Sequence, residues 1–171
     1  HVPLTDDAQR EAQEIMLSAK NLLKPATGDP IMNPTQDIVL GCYFATSIRQ
    51  GLMGEGKVFA SEEDALLAYD FQAVDIQSRI KVRVNPKDGR MTEKHKTPER
   101  AMTETSIGRI LFNRVLPEDF PFVNRELKNR DLADVVAAII KRYGIAGTPP
   151  ILNRIKRFGF EFATRSGISW G

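Results

Sequence analysis

The sequence predicts an α+β fold, mostly helical, with a small antiparallel sheet around residues 74–105. Three observations predict it. Apolar residues recur at steps of three and four along several stretches. One stretch, 74–84, instead alternates apolar with polar and charged residues. Turn-forming residues punctuate the chain between these patterns.

The first expected helix covers 6–23. Thr5 caps it, Asp6 and Asp7 favour its positive end, and Ala8, Ala12, Ile15, Met16, Ala19, Leu22 and Leu23 make one apolar face. Lys24 precedes Pro25, which ends the helix. Residues 25–36 read as irregular, with Pro25, Pro30, Pro34 and a Gly28-Asp29 turn. The apolar run 38–44 fits a buried strand or a buried helix by period alone; Asp37 as an N-cap favours helix.

Residues 51–56 (GLMGEG) read as a flexible loop. They lack the Lys and Ser/Thr of a phosphate loop. Ser61-Glu62-Glu63-Asp64 marks the start of a short helix. The clearest strand pattern runs over 74–84, where Val74, Ile76, Ile80, Val82 and Val84 alternate with Asp75, Gln77, Arg79, Lys81 and Arg83. Turn chemistry at 85–89 leads into a polar stretch, 90–100, that reads as a mobile excursion. Residues 101–105 pair back as a second strand, and 107–115 form a helix.

Pro117 opens a rigid loop to Phe122. Leu132, Val135, Val136, Ile139, Ile140 and Tyr143 then form an apolar stripe, with Gly144 as its C-cap. Thr148 is expected to cap a helix starting at Pro149 and ending at Gly159, with Phe160 and Phe162 opening a further element.

The length of 171 residues suits one domain or two small ones. Lys and Arg number 24 against 22 Asp and Glu, a net charge of +2, which excludes a histone-like polycation. A single cysteine, Cys42, excludes an internal disulfide and a cysteine zinc cluster, and fits a reducing, cytoplasmic setting. No apolar run approaches the roughly 20 residues that cross a bilayer, and no secretory leader is expected. The chain opens at His1-Val2-Pro3 without Met and closes on Ile168-Ser169-Trp170-Gly171, so it is expected to be a piece of a longer polypeptide.

No catalytic residue and no metal ligand is expected. His1 and His95 have no partners at a ligating spacing. Cys42, inside an apolar run, reads as a small buried hydrophobe. The acidic pairs Asp6-Asp7 and Glu62-Glu63 serve helix starts; the third, Glu118-Asp119, lies in the loop. Basic residues do cluster late in the chain: Lys141, Arg142, Arg154, Lys156, Arg157 and Arg165, against Glu161. Arg154, Lys156 and Arg157 are the candidates for meeting phosphate or nucleic acid. A solvated helix face or a subunit contact stands beside that reading of the cluster, and the alternative for the chain is a free-standing basic adapter that binds nucleic acid.

Four separated motifs carry a resemblance. They are His1-Val2-Pro3-Leu4-Thr5; Asn33-Pro34-Thr35-Gln36-Asp37-Ile38-Val39-Leu40-Gly41; Glu104-Thr105-Ser106-Ile107-Gly108-Arg109-Ile110-Leu111-Phe112-Asn113; and Gly159-Phe160-Glu161-Phe162-Ala163-Thr164-Arg165-Ser166-Gly167-Ile168-Ser169. In order and spacing they resemble the largest subunit of bacterial DNA-directed RNA polymerase, the beta prime family, from end to end of the chain.

The resemblance implies a segment just downstream of the family's triple-aspartate loop, which holds the catalytic magnesium. No cofactor is then expected in this chain, and magnesium belongs to aspartates before His1. It implies a pore-region domain at 1–125 and the helical start of the funnel at 126–171. Together these line the secondary channel for nucleoside triphosphates and support the active-site loop. It implies His1, Gln36, Asp37 and Arg165 as channel residues; Asp37 as a simple helix cap stands beside this. The implied partners are the alpha, beta, omega and sigma subunits, template DNA, RNA, nucleoside triphosphates and transcript-cleavage factors, with no membrane. Some members also bind a guanosine tetraphosphate alarmone through a Lys, an Asp and a Tyr. The matching positions here are Ala146, Asn153 and Arg157, which do not reproduce those roles.

Overall fold

The structure, a computed structural model, describes residues 34–84 and 102–167. The expected helix 6–23, the excursion 90–100, His1 and His95 lie outside the described residues. In chain order the elements are α1 (Pro34–Thr46), β1 (Val58–Phe59), α2 (Glu62–Asp70), β2 (Ile80–Arg83), β3 (Met102–Thr105), α3 (Ile107–Val115) and α4 (Asn129–Arg165). They fall into two compact units, one being Ala45–Glu126 and the other combining the flanking stretches. The α+β expectation holds.

In the flanking unit, α1 and α4 supply the core. The run 38–44 is helix, as expected, but Asp37 is not its cap. The helix already begins at Pro34, whose fixed φ suits a first turn, so Asp37 sits inside that turn. Ile38 and Cys42 are buried from α1, and Leu132, Val135, Ile139, Ile151, Ile155, Phe158 and Phe162 from α4. Cys42 is the small buried hydrophobe expected, and burial pushes its thiol up to about 12.

Helix α4 departs from expectation at Thr148 and at Gly159. Gly144 does stop the first arm, with φ 68° and ψ −166°, a region open in practice to glycine only. The second arm resumes directly, so Thr148 is not its cap. The Thr148 hydroxyl lies inside the helix and donates to the Gly144 carbonyl at 2.6 Å. Pro149 and Pro150 follow within the same helical span, where they withhold the N–H groups that would reach Ile145 and Ala146. Gly159 does not end the helix either. The arm runs on to Arg165, and Phe160 and Phe162 belong to it. Gly159 is there for contact. A Cβ on it would lie 2.7 Å from the Cα and carbonyl oxygen of Ile38, and a Cβ on Gly41 would lie 1.7 Å from the Gly159 carbonyl oxygen. The two helices cross backbone to backbone, which only glycine permits.

In the unit Ala45–Glu126 the sheet has order β1-β2-β3. β2 and β3 pair antiparallel, Ile80 opposite Thr105 and Val82 opposite Thr103, which gives the expected return strand. The sheet is nevertheless mixed. β1 adds in parallel, Val58 opposite Lys81 and Phe59 opposite Val82. The long strand expected over 74–84 also contracts to β2. The Asp75 carboxylate accepts from the Gln77 amide at 2.9 Å, and Ser78 N–H donates to the Asp75 carbonyl at 3.1 Å. This local turn takes the backbone away from a ladder. Val74 and Ile76 are buried all the same, so the alternation is real although its cause is not a strand.

The turn also holds the 51–56 loop. Asp75 N–H and the Ser78 hydroxyl both donate to the Met53 carbonyl, at 2.9 and 2.6 Å. Gly54, at φ 80°, would put a Cβ 2.7 Å from the Ala73 carbonyl oxygen. The helix starts are as read. Ser61 caps α2 by accepting from Asp64 N–H at 3.0 Å, and Ser106 caps α3 by accepting from Arg109 N–H at 3.3 Å. Glu62 is more than a helix-start acid: it is buried and pairs with Arg114 at 3.4 Å.

Candidate functional site

The expected channel residues lie at different places on the two helices of the flanking unit. Gln36 and Asp37 occupy the first turn of α1, yet only Gln36 is exposed. Asp37 is 3% exposed, and its Oδ2 has no hydrogen-bond partner among the described residues. Loss of water around the carboxyl raises its pKa above the ordinary carboxylate value.

The basic residues occupy the second arm of α4. Arg154, Lys156 and Arg157 are all exposed. At 3.6 residues per turn, Arg154 and Arg157 share a face, while Lys156 lies about 200° around the axis from Arg154. Arg165 is the last residue of α4. Its guanidinium carbon lies 5.1 Å from the centre of the Phe162 ring, and its Nη1 is 3.5 Å from Glu161. Its charge also suits the negative end of the helix. Phe162 in turn packs on Phe158, with ring centres 4.6 Å apart, so these aromatics are core and not platforms for bases.

The glycine crossing orders these residues. Ile38 and Gly41 meet Gly159, and Gly41 meets Ala163, so α1 and α4 run the same way where they touch. Gln36 and Asp37 therefore precede the crossing on α1, and Arg154 and Arg157 precede it on α4. Arg165 follows it.

A second cluster, in the unit Ala45–Glu126, was not singled out residue by residue from the sequence, although it lies within the third motif. Gly108 lets α3 touch the end of α1: a Cβ there would lie 1.5 Å from the Ala45 carbonyl oxygen. Arg109 is half-buried, and its Nε donates to the Thr46 carbonyl at 2.8 Å, meeting one of the orphan carbonyls at the end of α1. Its Nη1 donates to Asn124 at 3.2 Å. Burial lowers the Arg109 pKa from its ordinary value, while the Glu126 charge acts the other way. Asn113 is buried and makes three bonds of 2.7 Å. Its amide donates to the carbonyls of Arg109 and Val123, and its Oδ1 accepts from Val123 N–H. Asn124 Nδ2 donates to the Glu104 carbonyl at 2.9 Å. One motif thus caps a helix, admits a close approach and ties down the loop that follows α3. The signal in the sequence was the pairing of Gly108 with Arg109 and Asn113 on a helix whose other face is apolar.

Among the described residues no three His, Cys, Asp or Glu side chains come together as a metal would need. None of the described helices is long and apolar enough to cross a membrane.

Comparison with known proteins names the family. The family RNA polymerase Rpb1, domain 3, matches residues 21–171. The DNA-directed RNA polymerase subunit beta' of Caldicellulosiruptor saccharolyticus is 44% identical over 99% of this chain and 15% of that protein. The subunit beta' of Hydrogenobaculum sp. is 44% identical over the whole chain and 10% of its own length. That of Desulforamulus reducens is 42% identical over the whole chain and 13% of its length. The chain thus spans between 10% and 15% of the relatives it matches. The glycine crossing and the tied α3 lie within the matched region, and the chain belongs to the RNA polymerase Rpb1, domain 3, family.

Proposed function

We propose that the chain is a segment of the largest subunit, of the beta prime kind, of a DNA-directed RNA polymerase, and that it serves DNA-templated RNA synthesis. The observation that carries this is identity of 44% sustained along the whole chain to a subunit beta'. In this reading residues 1–125 are the pore portion and 126–171 the start of the funnel. They flank the secondary channel through which nucleoside triphosphates reach the active centre and brace the loop that holds magnesium.

In this reading bond making belongs to the family's triple-aspartate loop, which the resemblance places outside this chain. What this chain contributes is shape and charge. Exposed Gln36, Arg154 and Arg157 supply polar and positive groups, and positive walls raise the local concentration of an anionic substrate. Whole-enzyme partners, namely the other polymerase subunits, DNA, RNA and cleavage factors, follow from the same reading.

The test is replacement. This sequence, put in place of the matching segment of a relative's beta prime subunit, is expected to assemble and to synthesise RNA. The purified chain alone is expected to transfer no nucleotide, and measurable transfer would refute the reading. For the channel, Arg154→Ala with Arg157→Ala is expected to raise KM for nucleoside triphosphates and leave kcat unchanged. An unaltered KM removes the channel assignment.

A further inference from the structure

One face of α2 carries two exposed large apolar side chains. Leu67 is 55% exposed and Phe71, at the helix C-cap, 77%. They stand four residues apart and share a face. Glu63, Asp64 and Asp70 fall in the same arc, about 120° wide at 3.6 residues per turn. The helix sequence EEDALLAYD carries no base. Glu63 pairs with Arg114 at 3.0 Å, but among the described residues Asp64 and Asp70 carry no ion pair. The face is therefore two large apolar side chains in a frame of carboxylates.

We infer that this face docks a basic amphipathic segment belonging to the same subunit, outside the 171 residues. The inference rests on the proposal that the chain is a portion of a beta prime subunit. Charge decides the chemistry of the partner. The carboxylates repel nucleic acid and anionic lipid, and a second copy of α2 would set acid against acid. A segment with an apolar centre flanked by Lys or Arg matches both the Leu67/Phe71 pair and its frame. Size decides the source. One short helix face is far below the roughly 1,000 Å² that a specific complex between free proteins buries. A segment tethered in the same polypeptide needs much less area, because linkage raises its effective concentration to about millimolar. The relatives are long enough to supply one, since this chain covers no more than 15% of them.

The experiment places a photo-cross-linker at the most exposed aromatic of the face, Phe71→p-benzoylphenylalanine, in polymerase assembled with the whole subunit. Irradiation is expected to join position 71 to one peptide of the same subunit, rich in Lys or Arg around apolar residues. The yield is expected to fall severalfold when Asp64→Lys and Asp70→Lys are added. An active, assembled polymerase that gives no cross-link overturns the inference. So does a cross-link to another subunit, to nucleic acid or to a second copy, or a yield indifferent to charge reversal. A subunit that folds but never enters polymerase overturns the parent proposal as well, which separates the two failures.

Discussion

The two units keep their helices in place by opposite means. In the flanking unit, α1 and α4 are held by the absence of side chains: Gly41 and Gly159 let main chain meet main chain. In the unit Ala45–Glu126 the ties are polar side chains reaching backbone, with Arg109 on Thr46, Asn113 on Val123 and Ser78 on Met53. Gly108, against Ala45, shows that the second unit borrows the first device once. The lesson is about tolerance. A glycine contact has no slack, because the obstacle is backbone. A hydrogen-bonded tie fails by degrees, one donor at a time.

The sharpest way to break the contrast is to add a methyl group. Gly41→Ala is expected to lose about 3 kcal/mol or more, since the new Cβ would fall 1.7 Å from a carbonyl oxygen. Gly108→Ala should lose as much, its Cβ meeting the Ala45 oxygen at 1.5 Å. Denaturant titration measures both, and a near-neutral result at either site removes the backbone-contact account there.

Asn113→Ala comes next, at about 2 kcal/mol, because it leaves buried backbone groups without partners. Amide exchange at Val123 is expected to quicken, while amides in the second arm of α4 keep their protection. Gly144→Ala should lose about 1–3 kcal/mol from its glycine-only backbone geometry, with no steric part, because nothing lies within 4 Å of a Cβ there. A Gly144→Ala variant as stable as the parent would mean that the break relaxes into continuous helix.

The smallest effect is one of pH. The folded pKa of Asp37 is raised, so folding favours its protonated form. That contribution is whole below the unfolded value of about 3.9 and is lost as pH rises through the folded value. Asp37→Asn should therefore flatten this part of the stability profile and gain over the parent at neutral pH. Titrations at acid and neutral pH that run parallel for parent and variant would count against a buried, unpartnered carboxyl.

Much of this was legible in the sequence. Ser61 announces α2 because a hydroxyl before a run of helix formers has one common use, whereas α3 was read from its apolar spacing and its cap, Ser106, was not. Gly144 as a stop was legible because glycine just after an apolar stripe commonly ends a helix. Gly159 was not, since glycine late in a helix reads as an end, and only the partner helix reveals it as a contact. Asp75 concealed the true length of β2: alternation reports burial, and burial came from a turn. β1, two residues long, is too short to have a period at all. For the candidate site, the four motifs led to the family. They did not separate exposed Gln36 from buried Asp37, because neighbours on a helix point about 100° apart and the sequence does not say which direction is inward.

The break at Gly144 also uncouples the two arms of α4 in phase. In an unbroken helix, one residue gained or lost would rotate everything downstream by about 100° and carry Gly159 away from Ile38. A glycine outside the helical region can absorb that turn. Length changes in the arm before residue 144 are thus insulated from the crossing on α1, whereas changes between residues 145 and 159 are not.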